Sequence, residues 1–300
     1  MERGFSLIEV LISMLIFVLI AIGIYFFFDQ GQWLYLHSER RTRIQETARL
    51  TIEQMERDFR MIGAGVPTGT NATSQVWTPN IFTADALSIG FTGDIDNGTD
   101  NLSQDVGTPD NSHIYVGEND YFQLGVTMPI VLVADGGNWE ALTVSTIDDT
   151  TPTDIAVVTT SDVTTPANYL AVDSTVHTLE RVFYRMVDQS GVVDDDGICT
   201  DPYPFCSIQR QEYQTNDPAE TDPDTESAGE DWETIATNVS LLQFTYLASD
   251  GVTPVAVLAN IDKIRIELEC NDRSSYRSGN AWQYQTARLV SEVLIRNEKL

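Results

Sequence analysis

Residues 5–28 form one continuous apolar run, in which the only charged side chain is Glu9. The run has 24 residues, and about 20 apolar residues in a helix are enough to cross the hydrocarbon core of a bilayer. The pattern therefore predicts a membrane-spanning helix. A carboxylate inside such a helix costs roughly 2.5 kcal/mol or more, and it is normally functional and paired with an opposite charge. Glu9 is thus the first candidate functional residue.

The apolar pattern then becomes one-sided. Apolar residues recur at intervals of three or four, which is the period of an α-helix with one buried face. Glycines and a proline in residues 63–67 stop this helix. We therefore expect a single helix from Phe5 to about Ile62, whose first half is apolar all round and whose second half docks on a domain. The predicted stripe consists of Ile44, Ala48, Ile52, Met55, Phe59 and Ile62.

Short segments rich in Val, Ile, Thr and Leu follow the helix, and clusters of Asp, Asn, Gly and Pro separate them. These features predict β-strands and turns. One long helix followed by strands predicts an α+β fold, in which the helix stripe covers one face of an antiparallel β-sheet. The predicted strands are 87–91, 113–116, 130–134, 141–147, 155–159, 176–187, 239–248, 261–270 and 287–296.

Two segments resemble insertions into this β-rich head. Residues from about 71 to about 173 are rich in Thr and Asp and predict a β-rich inserted subdomain. Residues 212–233 contain nine acidic residues and no basic one. We expect this second segment to be an acidic loop because it has too few apolar side chains to bury.

The chain is strongly acidic, with a net charge of −28 over 300 residues. No Lys or Arg occurs in residues 61–180, which contain 16 acidic residues. Such a surface repels nucleic acid, whose binding depends on Lys and Arg, and it favours cations or a basic partner. A solvated acidic exterior is the simpler interpretation. The sequence motifs of zinc proteases, serine hydrolases and nucleotide-binding enzymes are absent, so we expect no enzymatic activity.

The first residues, Met-Glu-Arg-Gly4-Phe5-Ser-Leu-Ile-Glu9, place a short charged leader and a glycine before the apolar run. This N-terminus resembles those of type IV pilins and pseudopilins. The resemblance implies that a prepilin peptidase cuts between Gly4 and Phe5 and methylates the new amine of Phe5. It also implies that Glu9 pairs with the N-terminal amine of a neighbouring subunit during assembly. Such pairing would cancel two charges that are each costly in hydrocarbon.

A cleaved secretory signal is the competing interpretation of this end. Its apolar stretch has about 7–15 residues and precedes a small-residue cleavage site, whereas this run is longer and Asp29-Gln-Gly-Gln-Trp follows it. We therefore expect the run to remain in the mature protein. Arginines at 40, 41 and 43 argue weakly against a cytoplasmic N-terminus, so the expected topology comes from the resemblance.

The resemblance extends to the helix exit at residues 48–63 and to the C-terminal segment 287–297, which are similar to PilW-type minor pilins and J-type pseudopilins. It divides the chain into a leader (1–4), a transmembrane or filament-core helix (5–28), an amphipathic helix (29–66) and a globular head (67–300). It implies an inner-membrane protein with a periplasmic head, which later joins a periplasmic or extracellular filament.

The function that we expect is that of a PilW-like minor pilin of a type IV pilus, in a priming or tip complex. The implied partners are other pilin subunits, the prepilin peptidase and the inner-membrane assembly platform, with no nucleic acid among them. A J-type pseudopilin of type II secretion is the first alternative. A membrane-anchored adhesin or calcium-binding module that never polymerises is an alternative of a different class.

Asp94, Asp96 and Asp100 stand at alternate positions around Gly98, as oxygen ligands do in the first half of a calcium loop. The glutamate that closes such a loop is missing, and Asp105 stands at its position. An acidic turn without an ion is therefore the favoured interpretation. Calcium is the only cofactor that the sequence suggests, and the expected role does not require it.

The three cysteines are Cys199, Cys206 and Cys270. In an oxidising periplasm, we expect Cys199 and Cys206 to form a disulfide across a short loop that contains two prolines. Strand alternation places Cys270 on the buried side of its strand, which favours a free thiol. Pairing of Cys270 with either of the other two cysteines stays an open alternative.

Overall fold

A computed structural model describes the chain over the following residues. They are 7–71, 73–77, 80–96, 98–106, 111–117, 128–134, 136–148, 155–160, 163–164, 169–171, 173–188, 206–215, 232–255, 257–271, 276–278, 281–283 and 286–295.

The N-terminal helix α1 (Leu7–Arg60) is continuous over 54 residues, which corresponds to about 81 Å at 1.5 Å per residue. It ends two residues before the predicted end. Gly63 and Gly65 follow with φ angles of +79° and +66°, a conformation that glycine adopts at little cost. All six residues of the predicted apolar stripe are buried. Thr51 and Asp58 are buried on the same helix as well, although their side chains are polar.

The rest of the described chain forms β-strands, with a short 3-10 helix at Leu258–Asn260. The strands are β1 (Ile81–Ala84), β2 (Ser88–Gly93), β3 (Thr99–Asn101), β4 (His113–Gly117), β5 (Pro129–Val133), β6 (Trp139–Asp148), β7 (Ile155–Thr160), β8 (Thr175–His177), β9 (Glu180–Val187), β10 (Cys206–Gln214), β11 (Glu233–Leu247), β12 (Lys263–Asn271), β13 (Tyr276–Ser278), β14 (Ala281–Gln283) and β15 (Thr286–Leu294).

The first sheet has seven strands in the order β1-β2-β9-β10-β11-β12-β15, and every neighbouring pair is antiparallel. Helix α1 packs on this sheet and shares one hydrophobic core with it. Phe59 lies at the centre of the contact. Its ring meets those of Phe91, Tyr184 and Phe244 edge-on, at centroid distances of 5.6, 5.6 and 5.8 Å. A helix on an antiparallel sheet is the predicted α+β architecture, which is therefore confirmed.

The second sheet has six strands in the order β3-β8-β5-β6-β7-β4. It has its own hydrophobic core, in which Ile114, Ile130 and Leu132 are fully buried. The chain enters this sheet between β2 and β3 and leaves it between β8 and β9. The predicted subdomain at 71–173 has different limits from this sheet, because β1 and β2 belong to the first sheet.

The sequence pattern located most of the long strands but not all of their breaks. The predicted strand 176–187 is two strands, β8 and β9, which belong to different sheets. Strand β10 was not predicted, although it lies between β9 and β11 in the first sheet. The predicted strands 239–248 and 261–270 are confirmed as parts of β11 and β12, which form an antiparallel pair.

The predicted acidic loop 212–233 is wrong at both ends: residues 212–214 belong to β10, where Tyr213 is buried, and Glu233 begins β11. Residues 216–231 of this segment lie outside the described residues.

Candidate functional site

The first candidate site is the N-terminal end of α1. Glu9 lies in the first turn of the helix, where the helix dipole favours a negative charge. Its side chain is at an exposed position. The Ser13 hydroxyl, one turn further on, donates a hydrogen bond to the Glu9 backbone carbonyl (2.5 Å). Gly4 and Phe5, the predicted processing residues, lie outside the described residues.

Apolar side chains cover the N-terminal half of α1 on all sides and are exposed. Phe17 is 70% exposed and Phe27 is 85% exposed. The exposed apolar residues continue beyond the predicted run to Trp33 and Leu36. Such a surface is too large to face water without a partner. By length and composition α1 is long and apolar enough to cross a membrane, and the exposed apolar surface of this half fits burial in lipid or against other helices.

A buried polar network holds the other half of α1 on the first sheet. The Asp58 Oδ2 atom accepts hydrogen bonds from the Tyr184 hydroxyl (2.5 Å) and from Arg210 Nε (2.7 Å). Burial, reinforced by the charge of Asp58, raises the pKa of Tyr184. The phenol therefore keeps its proton and donates a hydrogen bond to Asp58. Arg210 also pairs with Glu212. This network was not predicted, because the amphipathic pattern of a helix does not distinguish a buried acid from an exposed one.

The second candidate site is an acidic cluster between the two sheets. One carboxylate oxygen from each of Asp94, Asp96 and Glu180 lies within 4.8 Å of the other two. Asp94 and Glu180 are buried, and Asp96 is exposed. The sequence offered Asp94 and Asp96 as candidate calcium ligands, although an acidic turn was the favoured interpretation, and it did not offer Glu180. Asp100 lies in strand β3 opposite Val176, and the position of its side chain is outside the described part of the structure.

Backbone amides and hydroxyls orient the two aspartates of the cluster. The Gly98 N–H donates to Asp94 Oδ1 (2.6 Å) and to Asp96 Oδ1 (2.9 Å). The Thr99 hydroxyl donates to Asp94 Oδ2 (2.5 Å), and the Thr178 hydroxyl donates to Asp96 Oδ1 (3.1 Å). Gly98 and Thr99 lie where the chain passes from β2 to β3, and Thr178 lies where it returns from β8 to β9. Both crossings between the two sheets thus help to hold the two carboxylates in position.

Negative charges dominate the environment of Glu180. Burial, together with the charges of Asp96, Asp94 and Glu212, raises the pKa of Glu180 to about 9. A hydrogen bond from the Ile95 N–H to Glu180 Oε2 (2.7 Å) acts in the opposite direction. Burial and mutual repulsion disfavour the charged forms of the three carboxylates. A cation bound at this place would attract all three and offset that cost.

The cysteines occupy two environments. Cys206 is buried at the start of β10 and is disulfide-bonded. Cys270 is a buried free cysteine on β12, as strand alternation predicted, and burial raises the pKa of its thiol to about 12. Cys199 lies outside the described residues, so its pairing with Cys206 stays a prediction.

The comparison with known families identifies the N-terminal end. Residues 1–25 match the family described as the prokaryotic N-terminal methylation motif, which is the type IV pilin signature. The match covers 25 of the 300 residues. No curated protein and no solved structure matches the chain. The N-terminal end of the chain thus carries the type IV pilin signature, on the apolar helix described above, which supports a type IV pilin-like or pseudopilin protein.

Proposed function

We propose that the protein is a PilW-like minor pilin that assembles into a type IV pilus through α1 and occupies a priming or tip complex. The observation that carries the proposal is the contrast along α1, which bears Glu9 among exposed apolar residues, whereas its buried residues in the described part of the chain begin at Ile44. The proposed role is structural and needs neither a catalytic group nor a cofactor.

The membrane holds the precursor in this scheme, and other pilins replace the membrane in the filament. Cleavage by the prepilin peptidase after Gly4 would free the amine of Phe5, and methylation would leave its positive charge in place. Glu9 would then pair with the amine of a neighbouring subunit. An unpaired charge in hydrocarbon is costly. The register of neighbouring subunits that brings the two charges together is therefore favoured over any other register.

The head supports a position at the end of the filament. Its two large sheets have separate cores, and α1 packs on strands β11, β12 and β15 of the first sheet. The second sheet therefore adds six strands to the head outside the core that the helix shares with the first sheet. A subunit with a head of this size is a poor repeating unit of a compact shaft and suits a terminal position. The same head would also suit a terminal position if the protein were a J-type pseudopilin of type II secretion.

The test is substitution of Glu9 in cells that contain the prepilin peptidase and the assembly machinery. Glu9→Ala should abolish recovery of the protein in sheared filaments, while membrane insertion and the melting temperature of the head stay unchanged. Ser13→Ala is the matched control, because it removes another polar group from the same helix and should assemble normally. Normal assembly of Glu9→Ala would contradict the proposal and favour an anchored binding module.

Gene deletion separates the two filament machines. Loss of surface pili with normal protein secretion is the expected result. Loss of secretion with normal pili would assign the protein to the J-type pseudopilins instead. Intact mass of the mature chain should show a methylated N-terminus at Phe5, and a chain that keeps Met1 would contradict both assignments.

A further inference from the structure

The acidic cluster lies where the chain crosses between the two sheets. Asp94 and Asp96 belong to the crossing from β2 to β3. Glu180 is the first residue of β9, directly after the return crossing from β8. The Asp94 N–H also donates to the carbonyl of Ala64, just beyond α1 (3.0 Å). The cluster therefore connects both crossings with the exit of the helix.

The distances within the cluster suit a single bound ion. One oxygen from each of the three carboxylates lies within 4.8 Å of the others. Calcium binds oxygen ligands at about 2.3–2.6 Å, so two ligands of one ion are at most about twice that distance apart. The pairwise separations are therefore compatible with a single ion that contacts all three oxygens.

An unsatisfied oxygen gives the cluster a second, independent feature of a binding site. Glu180 is only 1% exposed, and its Oε2 atom accepts a hydrogen bond from the Ile95 N–H. The Oε1 atom is buried without a hydrogen-bond partner among the described residues. A buried polar atom without a partner is costly and normally indicates a water or an ion.

We propose that Asp94, Asp96 and Glu180 bind a divalent cation, and that this cation is calcium. Carboxylate oxygens are hard ligands of the kind that calcium and magnesium prefer. Calcium accepts irregular geometry and about 6–8 oxygen ligands, so water can complete its coordination on the exposed side of Asp96. Each Asp94 oxygen accepts one hydrogen bond, from Gly98 or Thr99, and keeps a second lone pair for an ion. The hydrogen bonds from Gly98 and Thr178 to Asp96 both end on its Oδ1 atom.

His177 supports one side of the proposed site. Its Nδ1 atom lies 2.8 Å from the Thr99 hydroxyl oxygen and 3.6 Å from Asp94 Oδ2. Its Nε2 atom lies 2.8 Å from the Thr175 hydroxyl oxygen. With the proton on Nδ1, the ring donates to Thr99 and accepts from Thr175, while Thr99 donates to Asp94. Such outer partners hold metal ligands in position.

The ion would fasten the second sheet to the first at the point where α1 ends. This role goes beyond assembly through the N-terminal helix and does not depend on it. The proposed ligands also differ from those of a linear calcium loop. Asp105, which occupies the closing position of such a loop in sequence, instead accepts a hydrogen bond from the Ala171 N–H (2.8 Å).

The test measures binding of calcium chloride to the full chain in detergent by isothermal titration calorimetry. Physiological ionic strength shortens the screening length to about 8 Å and suppresses general binding to the acidic surface. We expect one tight site per chain and a melting temperature that rises with calcium and falls with a chelator. Asp96→Asn and Glu180→Gln should each weaken binding by at least about tenfold.

Asp105→Asn is the matched control, because it removes an acid of the same charge that belongs to the linear loop but not to the proposed cluster. It should bind calcium like the wild type. Equal losses in Asp105→Asn and Asp96→Asn, or the absence of a tight site in the wild type, would overturn the proposal. Asp96 is exposed, so its variant should melt like the wild type in chelator, and its binding result decides the question even if Glu180→Gln does not fold.

Discussion

The two halves of α1 have the same backbone and opposite surroundings. In residues 7–43 the apolar side chains point in all directions and are exposed, whereas in residues 44–60 they lie on one face and are buried against the first sheet. The head therefore supplies the burial for the second half only. The first half has to obtain its burial from lipid or from other subunits, so stability and assembly depend on different parts of one helix.

The largest expected effect that separates the halves concerns two phenylalanines. Phe59→Ala should lower the free energy of unfolding of the head by about 3–5 kcal/mol, because the ring is fully buried among three aromatic rings and leaves a cavity. Phe17→Ala, the matched change in the exposed half, should leave that free energy unchanged. Urea unfolding of the full chain in detergent, followed by tryptophan fluorescence, measures both. Equal losses would show that the halves are not independent.

Two carboxylates on α1 provide the next comparison. Asp58→Ala should destabilise the head by about 2 kcal/mol, because Tyr184 and Arg210 each lose a charged hydrogen-bond acceptor in a buried place. Glu9→Ala should cost the head nothing, since Glu9 is exposed and lies far along α1 from the residues of the helix that are buried on the first sheet. The same unfolding experiment measures these variants. An Asp58→Ala variant as stable as the wild type would mean that the network contributes little to the free energy of unfolding of the head.

Two glycines give the smallest contrast. Gly65 has a φ of +66°, and a Cβ atom there would lie 3.0 Å from both the Asp94 Cβ and the His177 Nδ1. Gly65→Ala should therefore lower the melting temperature, with a cost of about 1–2 kcal/mol from the left-handed backbone alone. Gly23 lies within the exposed half with open space around it. Gly23→Ala should leave the melting temperature of the head unchanged and should slightly favour the helix. A lower melting temperature of the head in this control would contradict the independence of the two halves of α1.

The sequence predicted features that depend on local periodicity. The stripe from Ile44 to Ile62 identified the docking face of α1, and strand alternation correctly placed Cys270 on the buried face of β12. Both succeed because a helix or strand displays its buried side at a fixed interval. The break between His177 and Glu180 was missed, since strand-like residues continue across it while the chain passes from one sheet to the other.

The sequence by itself determined the membrane-type helix, the pilin signature around Glu9 and the α+β order, because each is encoded within a short stretch of neighbouring residues. Only the tertiary structure decided that Asp58 meets Tyr184 and Arg210, and that Glu180 joins Asp94 and Asp96. Those partners are far apart in the chain, with Ile95 and Glu180 separated by 85 positions. Sheet pairing brings such residues together, and nothing in their local sequence distinguishes these acids from the many that face water.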